Sequence, residues 1–231
     1  THTFTTVGTY NVVLTVSDGR GGVSTAAVTV TVSAAGGQIP GDTDSDGDGV
    51  SDQIETGLGS DPNSATSLPH GVPQPVSSGV LVTPQKMSIK LNFAQPQGKD
   101  SIALSGLLSI PAGFDVTNRT VIVNIGGVVK SFTLDRRGKS PRGNDMFTVK
   151  IKSSREGVQP QQAKFTIKLM KGTFAAALAD DGLANTTTPT PTTTITTVVV
   201  PVTVIFNGEA LKHAVSQTYQ AKQNKFGKTK R

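Results

Sequence analysis

Five carboxylates occur within twelve residues of this chain, in the segment 44–55. A hard cation such as Ca²⁺ takes roughly six to eight oxygen ligands at flexible geometry, and alternating aspartates in a tight turn direct successive carboxylates to one centre. The spacing D-x-D-x-D-G-x5-E matches a twelve-residue calcium loop at every position. The predicted ligands of Ca²⁺ are Asp44, Asp46, Asp48, Val50, Asp52 and Glu55.

The other positions of the loop fit the same chemistry. Gly49 stands where the sharp turn needs a residue without a Cβ. We expect Val50 to offer its backbone carbonyl, Asp52 to act directly or through water, and Glu55 to close the site with both oxygens. Magnesium fits less well, because it loses its waters reluctantly and requires a stricter octahedron.

An empty loop of this kind is unfavourable, because its carboxylates repel one another. We therefore expect calcium to order the segment rather than merely to occupy it. The alternative is an acidic, glycine-rich solvated linker that resembles a metal loop by accident. The correct placement of Gly49 and Glu55, in addition to the aspartates, favours the metal interpretation.

The flanks of the loop indicate which kind of calcium module it is. Residues 34–41 contain Gly36, Gly37 and Pro40, which exclude the entering helix of a paired EF-hand. After the ligands, residues 50–56 predict two short helical turns that end at Gly57. The run GDTDSDGDGVSDQIETGLGSDPNSATS resembles a single thrombospondin type-3-like calcium repeat, and this resemblance implies Asp61 as a further ligand.

Composition favours strands and an extracellular setting. The chain has 231 residues, no Cys and no Trp, so disulfides and Cys-based zinc sites are excluded. Low-affinity calcium modules operate at extracellular, millimolar calcium. No signal peptide and no membrane-spanning run is visible, and the chain begins at Thr1 without Met. We expect a secreted or cell-surface bacterial protein of which this is the carboxyl-terminal region.

Charge divides the chain into an acidic and a basic part. Residues 42–61 hold seven acids and no Lys or Arg, whereas residues 86–231 hold 21 bases and 8 acids, a net charge of +13. Such a part favours an anionic partner, with an anionic glycan among the candidates. The plainer interpretation is a set of strands with lysines on the outward face. No recognition helix and few aromatic residues accompany the lysines, so we expect no nucleic-acid binding.

The amino-terminal residues alternate with the period of strands. Residues 10–17 and 23–32 predict two strands around the turn Asp18-Gly-Arg-Gly-Gly22, and residues 3–5 predict a short strand before them. The words His2-Thr-Phe4, Gly8-Thr-Tyr10 and Val16-Ser-Asp18 resemble the carboxyl-terminal half of a PKD (polycystic-kidney-disease) domain. That resemblance implies an Ig-like β-sandwich of extracellular adhesion and spacer modules, present here only in part.

The remainder of the chain predicts a second β-domain. Regular strand-like runs separated by turn residues indicate an antiparallel β-sandwich, so the fold class is all-β. The predicted strands are 87–93, 101–108, 120–125, 128–134, 146–151, 163–170, 195–206 and 210–219. Pro201 within an apolar run indicates an edge strand or a bulge. The predicted boundaries are 1–34 for the partial PKD-like domain, 35–41 for a linker, 42–64 for the calcium loop module, 65–80 for a Pro/Ser linker and 81–231 for the β-sandwich.

The sequence contains no recognisable catalytic motif. G-x-S-x-G, H-E-x-x-H, P-loop and dinucleotide fingerprints are missing, and Asp180-Asp181 is interpreted as a turn rather than an acid–base pair. We therefore predict a non-catalytic region that serves in adhesion, display or spacing, with a cell-surface or extracellular-matrix component and other domains of the same longer chain as partners. The alternative is an accessory region, holding substrate or anchoring the enzyme, of an extracellular hydrolase whose catalytic domain lies upstream.

Overall fold

The structure is a computed structural model that describes residues 8–32, 43–73, 76–80, 82–189 and 192–230. Two compact units are present, Thr1–Gln38 and Ile39–Arg231. The described residues are all-β apart from one short helix, which confirms the predicted fold class. Within the described part of the chain, no helix is long and apolar enough to cross a membrane.

The first unit is a two-stranded antiparallel hairpin. Strand β1 (Gly8–Ser17) pairs with β2 (Val23–Val32) in continuous register. The Asp18 carboxylate accepts hydrogen bonds from the amides of Arg20 (2.7 Å) and Gly22 (2.9 Å), which fix the turn and lower the pKa of Asp18. The predicted strand at residues 3–5 lies outside the described residues.

Among its described residues the second unit contains ten strands and one helix, most of them where the turn signals predict them. The elements are α1 (Asp52–Leu58), β3 (Ser77–Val80), β4 (Val82–Asn92), β5 (Asp100–Ile110), β6 (Thr120–Ile125), β7 (Val128–Thr133), β8 (Asp145–Lys150), β9 (Gln161–Gly172), β10 (Thr194–Phe206), β11 (Glu209–Lys222) and β12 (Phe226–Lys230). Two-residue turns in the left-handed region join β6 to β7 and β10 to β11, the latter through Asn207 (φ 52) and Gly208 (φ 79).

The ten strands form one hydrogen-bonded sheet that curls back on itself. Its order is β7-β6-β10-β11-β12-β4-β5-β9-β8, with β3 parallel to β11 and every other pairing antiparallel. The two ends of the sheet meet, because Lys130 on β7 pairs with Asp145 on β8 at 2.9 Å. The rings of Phe132 and Phe147 also lie 6.0 Å apart across that junction. The result is a sandwich-like fold around one interior.

The interior of the curled sheet is the main hydrophobic core. Alternate residues of β5 are buried throughout its length, as the period-two pattern requires. Phe147 and Phe165 stack near the centre with their rings 6.0 Å apart, and both are fully buried. The strands therefore present one apolar face inward and one face outward.

A second hydrophobic cluster lies on the outer face of the same sheet. Val50 and Ile54 from the acidic segment pack there against Ile122 of β6 and Ile205 of β10. Half-buried side chains complete the cluster: Leu58, Leu68, Val72, Val76 and Val129. Strand β6 is consequently buried on both faces. The boundaries expected at 64 and 80 thus fall inside the second unit, Ile39–Arg231, which we call the β-unit. The segment 65–80 contributes apolar side chains and strand β3 to it.

Two local expectations change in physical detail. The helix continues through Gly57 to Leu58 and is capped by Gly59, whose left-handed conformation (φ 83) lets its amide donate to the Glu55 carbonyl. Gly57 instead permits a close approach, since a Cβ there would lie 3.1 Å from the Val129 side chain. Pro201 lies in β10 immediately before the residues that pair with β6. The half of β10 that ends at Pro201 therefore pairs only with β11 and forms a local edge of the sheet.

Candidate metal centre

The loop that follows Thr43 is shaped by its own aspartates. The Asp44 carboxylate accepts hydrogen bonds from the amides of Gly47 (2.9 Å) and Gly49 (3.0 Å). One oxygen of Asp46 accepts from the amide of Asp48 (3.1 Å). One oxygen of Asp48 in turn accepts from the amide of Val50 (2.8 Å). Asp44 thus turns the backbone with both of its oxygens, and Asp46 and Asp48 do so with one oxygen each, which is how a segment with few apolar residues holds this shape.

Three of the predicted ligands converge. One carboxylate oxygen from each of Asp44, Asp46 and Asp48 lies within 4.8 Å of the other two. The second oxygens of Asp46 and Asp48 are buried and have no hydrogen-bond partner. Burial raises the pKa of Asp48, and the neighbouring carboxylates of Asp46 and Asp44 raise it further. Three carboxylates held this close could bind one cation between them.

Glu55 is the most constrained member of the predicted set. Its side chain is 0 % exposed, and neither carboxylate oxygen has a hydrogen-bond partner. Burial raises the pKa of Glu55 to about 7, with further contributions from Asp48, Asp46, Asp52 and Asp44. Glu55 lies on the first turns of α1, outside the 4.8 Å group of the three aspartates. A buried carboxylate without donors is costly unless a cation pairs with it.

Asp52 makes hydrogen bonds that spacing alone does not predict. Its two oxygens accept hydrogen bonds from the amide (2.8 Å) and the hydroxyl (2.7 Å) of Ser45, and its own amide donates to the Thr43 carbonyl (2.8 Å). Asp52 therefore fastens the helix start to the loop. The Ser45 partner was not predicted, since nothing in the sequence pattern distinguishes it from a spacer residue.

The loop rests on the sheet through contacts that only the fold reveals. A Cβ on Gly49 (φ 93) would lie 2.6 Å from the carbonyl oxygen of Val76, the residue before β3. Val50 and Ile54 are both 0 % exposed in the second cluster. The loop is thus held from one side by β3 and from below by β6 and β10. Any ion in the loop would be coupled to these contacts.

A hydrogen-bonded contact also joins the helix to the β6–β7 turn. The Asn124 amide group donates to Gln53 at 2.7 Å, and the Asn124 oxygen accepts from the amide of Gly127 at 2.9 Å. An open groove of about 560 Å³ lies beside this contact, lined by Thr43, Asp52, Gln53, Thr56, Gly57, Gly127 and Val129. Its lining contains no histidine or cysteine.

The remaining candidate residues lie apart from the three aspartates. Asp61 is exposed and accepts from the amide of Asn63 (3.1 Å), so the structure places it in a turn outside the cluster. Asp181 has one buried, unpartnered oxygen, and burial raises its pKa to about 6, with Asp180 adding to the effect. In the described part of the chain, the only group of three or more potential ligands is Asp44, Asp46 and Asp48.

The donor set fits a hard cation. The predicted side-chain ligands are all carboxylates, and four of their oxygens are buried without a partner: Oδ2 of Asp46, Oδ2 of Asp48, and Oε1 and Oε2 of Glu55. Such oxygens match the preference of Ca²⁺ for flexible, all-oxygen coordination.

Comparison of the chain with known protein families, curated proteins and solved structures finds no match.

Proposed function

We propose that residues 44–55 bind one Ca²⁺ ion and that this ion fastens the acidic segment to the outer face of the β-unit. Asp44, Asp46 and Asp48 hold the ion, Glu55 closes the site, and Val50 adds its carbonyl. Asp52 orders the loop through Ser45. The ion has a structural role, and the chain is a non-catalytic module.

The pair of unpartnered oxygens on Glu55 is the observation that carries this proposal. A side chain that is 0 % exposed, ionised and without a donor costs several kcal/mol, on the order of 3–5 when its partner is removed. Four aspartates nearby add repulsion to that cost. A divalent cation offsets both effects at once, whereas a solvated acidic linker would leave its carboxylates in water.

The ion would stabilise the unit because the loop that holds it packs on the sheet. Val50 lies two residues after Asp48 and Ile54 directly precedes Glu55, and both side chains are buried against the sheet. Drawing the carboxylates together therefore holds these two side chains against Ile122 and Ile205. Calcium binding and the docking of residues 43–73 are then one equilibrium, so calcium stabilises the unit.

The setting that we propose is the outside of a bacterial cell. Low-affinity structural calcium sites fill at extracellular, millimolar calcium, and the resemblances to PKD and thrombospondin type-3 modules point to secreted or surface-attached proteins. In such a protein this region would serve in adhesion, in display, or as a calcium-stabilised spacer. The β-unit supplies a rigid body, and the calcium keeps one of its outer faces covered.

Calorimetric titration of calcium tests the proposal. We expect one ion per chain for the parent protein and no binding heat for the Asp44→Ala/Asp48→Ala variant. A matched control, Glu156→Ala/Asp180→Ala, removes two exposed carboxylates elsewhere in the unit and should bind like the parent. Equal heats from the parent and the Asp44→Ala/Asp48→Ala variant would refute the site.

A further inference from the structure

One outer face of the curled sheet carries an uninterrupted set of lysines. Strands β12, β4, β5, β9 and β8 are neighbours, so this face spans four strand spacings, about 19 Å. Registers place seven lysines on it, each on the side opposite the main core: Lys86, Lys90, Lys150, Lys164, Lys168, Lys228 and Lys230. We call these residues and the small side chains between them the lysine face.

No acidic residue balances this charge on the five strands. Their only acids are Asp100 and Asp145. Asp100 is 2 % exposed, and its oxygens accept the amides of Asn92 (2.7 Å) and Phe174 (2.7 Å). Asp145 is paired with Lys130. Among the described residues, none of the seven lysines takes part in an ion pair, and all except Lys228 are exposed.

Two pairs of lysines stand directly opposite each other on adjacent strands. Lys150 of β8 is the register partner of Lys164 of β9, and Lys90 of β4 is the partner of Lys228 of β12. Like charges at directly opposed positions destabilise a sheet. Lysines that only solubilise the surface could alternate with acids at no such cost. The arrangement is favourable when an anionic ligand lies across the strands.

A shallow groove of about 320 Å³ crosses this face between β4 and β9. Its floor and walls are Lys86, Ser88, Ala103, Ser105, Lys164 and Thr166. The small residues on its floor leave room for a chain to lie on the sheet, and three of them present hydroxyl groups. Lys86 and Lys164 stand at its two sides. Hydroxyl donors between spaced ammonium groups suit a ligand that carries both hydroxyls and repeated anionic groups.

We propose that the lysine face binds an acidic polysaccharide, laid across the strands so that its carboxylate or sulfate groups meet the lysines. The proposal rests on the adhesion part of the proposed function and does not require the calcium ion. Phe226 is the only aromatic side chain on the face among the described residues, and the Lys228 ammonium already lies 5.2 Å from its ring. Bases of a single-stranded nucleic acid would therefore find no row of stacking platforms.

Binding of heparin and hyaluronate to the full chain tests this proposal. Each is titrated by fluorescence polarisation at low and at physiological salt, with neutral dextran as the uncharged probe. We expect saturable binding of at least one acidic polysaccharide, weakening as salt rises, and no binding of dextran. Lys86→Gln/Lys164→Gln should raise the dissociation constant about five- to tenfold, which corresponds to about 0.5–0.7 kcal/mol for each exposed charge removed.

The matched control is Arg136→Gln/Arg137→Gln, which removes two positive charges from the exposed turn between β7 and β8. It should leave the dissociation constant within about twofold of the parent. Equal losses from the two double variants would overturn the proposal, because the attraction would then be to net charge alone. A thirty-nucleotide oligo-dT that binds more tightly than both polysaccharides, and loses affinity with the lysine variant, would also overturn it.

The same titrations in calcium and in a chelator separate this proposal from the calcium site. Polysaccharide binding that fails while calcium still stabilises the protein would refute the lysine face and leave the calcium proposal standing. Polysaccharide binding that persists in chelator, in a protein that shows no heat of calcium binding, would support the lysine face and refute the calcium site.

Discussion

Replacing Glu55 by glutamine should change stability in opposite directions with and without calcium. The substitution keeps the size of the side chain and removes its charge. Because the carboxylate is 0 % exposed and its oxygens have no donor, the calcium-free protein carries an uncompensated buried charge. At pH 8, above the raised pKa of about 7, Glu55 is ionised, and glutamine should then stabilise the calcium-free protein by about 1–2 kcal/mol.

In calcium the sign reverses. A parent protein at one hundred times its dissociation constant gains about 2.7 kcal/mol from the ion. For a unit of this size that gain is about 5–11 °C in melting temperature. Loss of a buried ionic partner costs on the order of 3 kcal/mol, so Glu55→Gln should bind at least about a hundredfold more weakly. At the same calcium concentration it would gain only about 0.4 kcal/mol.

Thermal unfolding followed by circular dichroism, in calcium chloride at about one hundred times the dissociation constant of the parent and in excess chelator, measures both effects. The control is Glu156→Gln, whose carboxylate is exposed, and its two curves should follow those of the parent. The raised pKa of Glu55 means that the calcium-free folded state takes up protons. Its stability therefore falls as pH rises toward 7, and the advantage of glutamine in chelator should shrink at lower pH. A variant that is less stable than the parent in chelator would refute this reasoning.

Three further substitutions test the contacts around the site. Gly49→Ala should weaken calcium binding and lower the melting temperature more than Gly47→Ala. Both glycines have positive φ, but only at Gly49 would a Cβ meet backbone, at 2.6 Å from the Val76 carbonyl oxygen. A smaller effect at Gly49 than at Gly47 would contradict this contact. Ile54→Ala should lower the free energy of unfolding by about 2–5 kcal/mol, as measured by chemical denaturation. Ile195 is 62 % exposed, so Ile195→Ala should change it by less than about 0.5 kcal/mol. Equal losses from the two variants would show that the acidic segment is not docked on the sheet. Asp181→Asn should stabilise the protein by about 1 kcal/mol at pH 7.5 and lose that advantage near pH 4, because burial raises the pKa of Asp181 to about 6. A change in stability that does not depend on pH would contradict the raised pKa.

Most of the β-unit could be predicted from local pattern. Period-two alternation and turn residues predict eight of its strands, from β4 to β11, because each buries one face and ends at a turn. Strand β12 escapes that pattern, since Gly227 takes the inward position where Tyr219 packs and no apolar alternation remains. Strand β3 is short and pairs in parallel with β11, a long-range contact that leaves no local signal.

The metal site divides in the same way. Spacing predicts the convergence of Asp44, Asp46 and Asp48, because a tight loop brings alternate side chains to one side. It does not predict that both oxygens of Asp52 bind Ser45, since that depends on where α1 starts relative to the loop. The docking on β6 and β10 was missed because Val50 and Ile54 are two isolated apolar residues in an acidic segment.

The lysine face was visible only in part from the sequence. Alternation places Lys164 and Lys168 on the outer side of one strand, as it does Lys86 and Lys90 on another. Which strands are neighbours, and in what register, is a property of the whole sheet. Only the pairing of Lys150 with Lys164, and the order of the five strands, turns scattered outward lysines into one surface.

Hydrogen–deuterium exchange of the full chain, with and without calcium, tests the central claim most directly. If the ion fastens the acidic segment to the sheet, calcium should slow exchange strongly in residues 43–60 and in β6, whose outer face the segment covers. The amides of β5 and β9, on the other part of the sheet, should change little. Unchanged exchange in residues 43–60 when calcium is added would contradict the account.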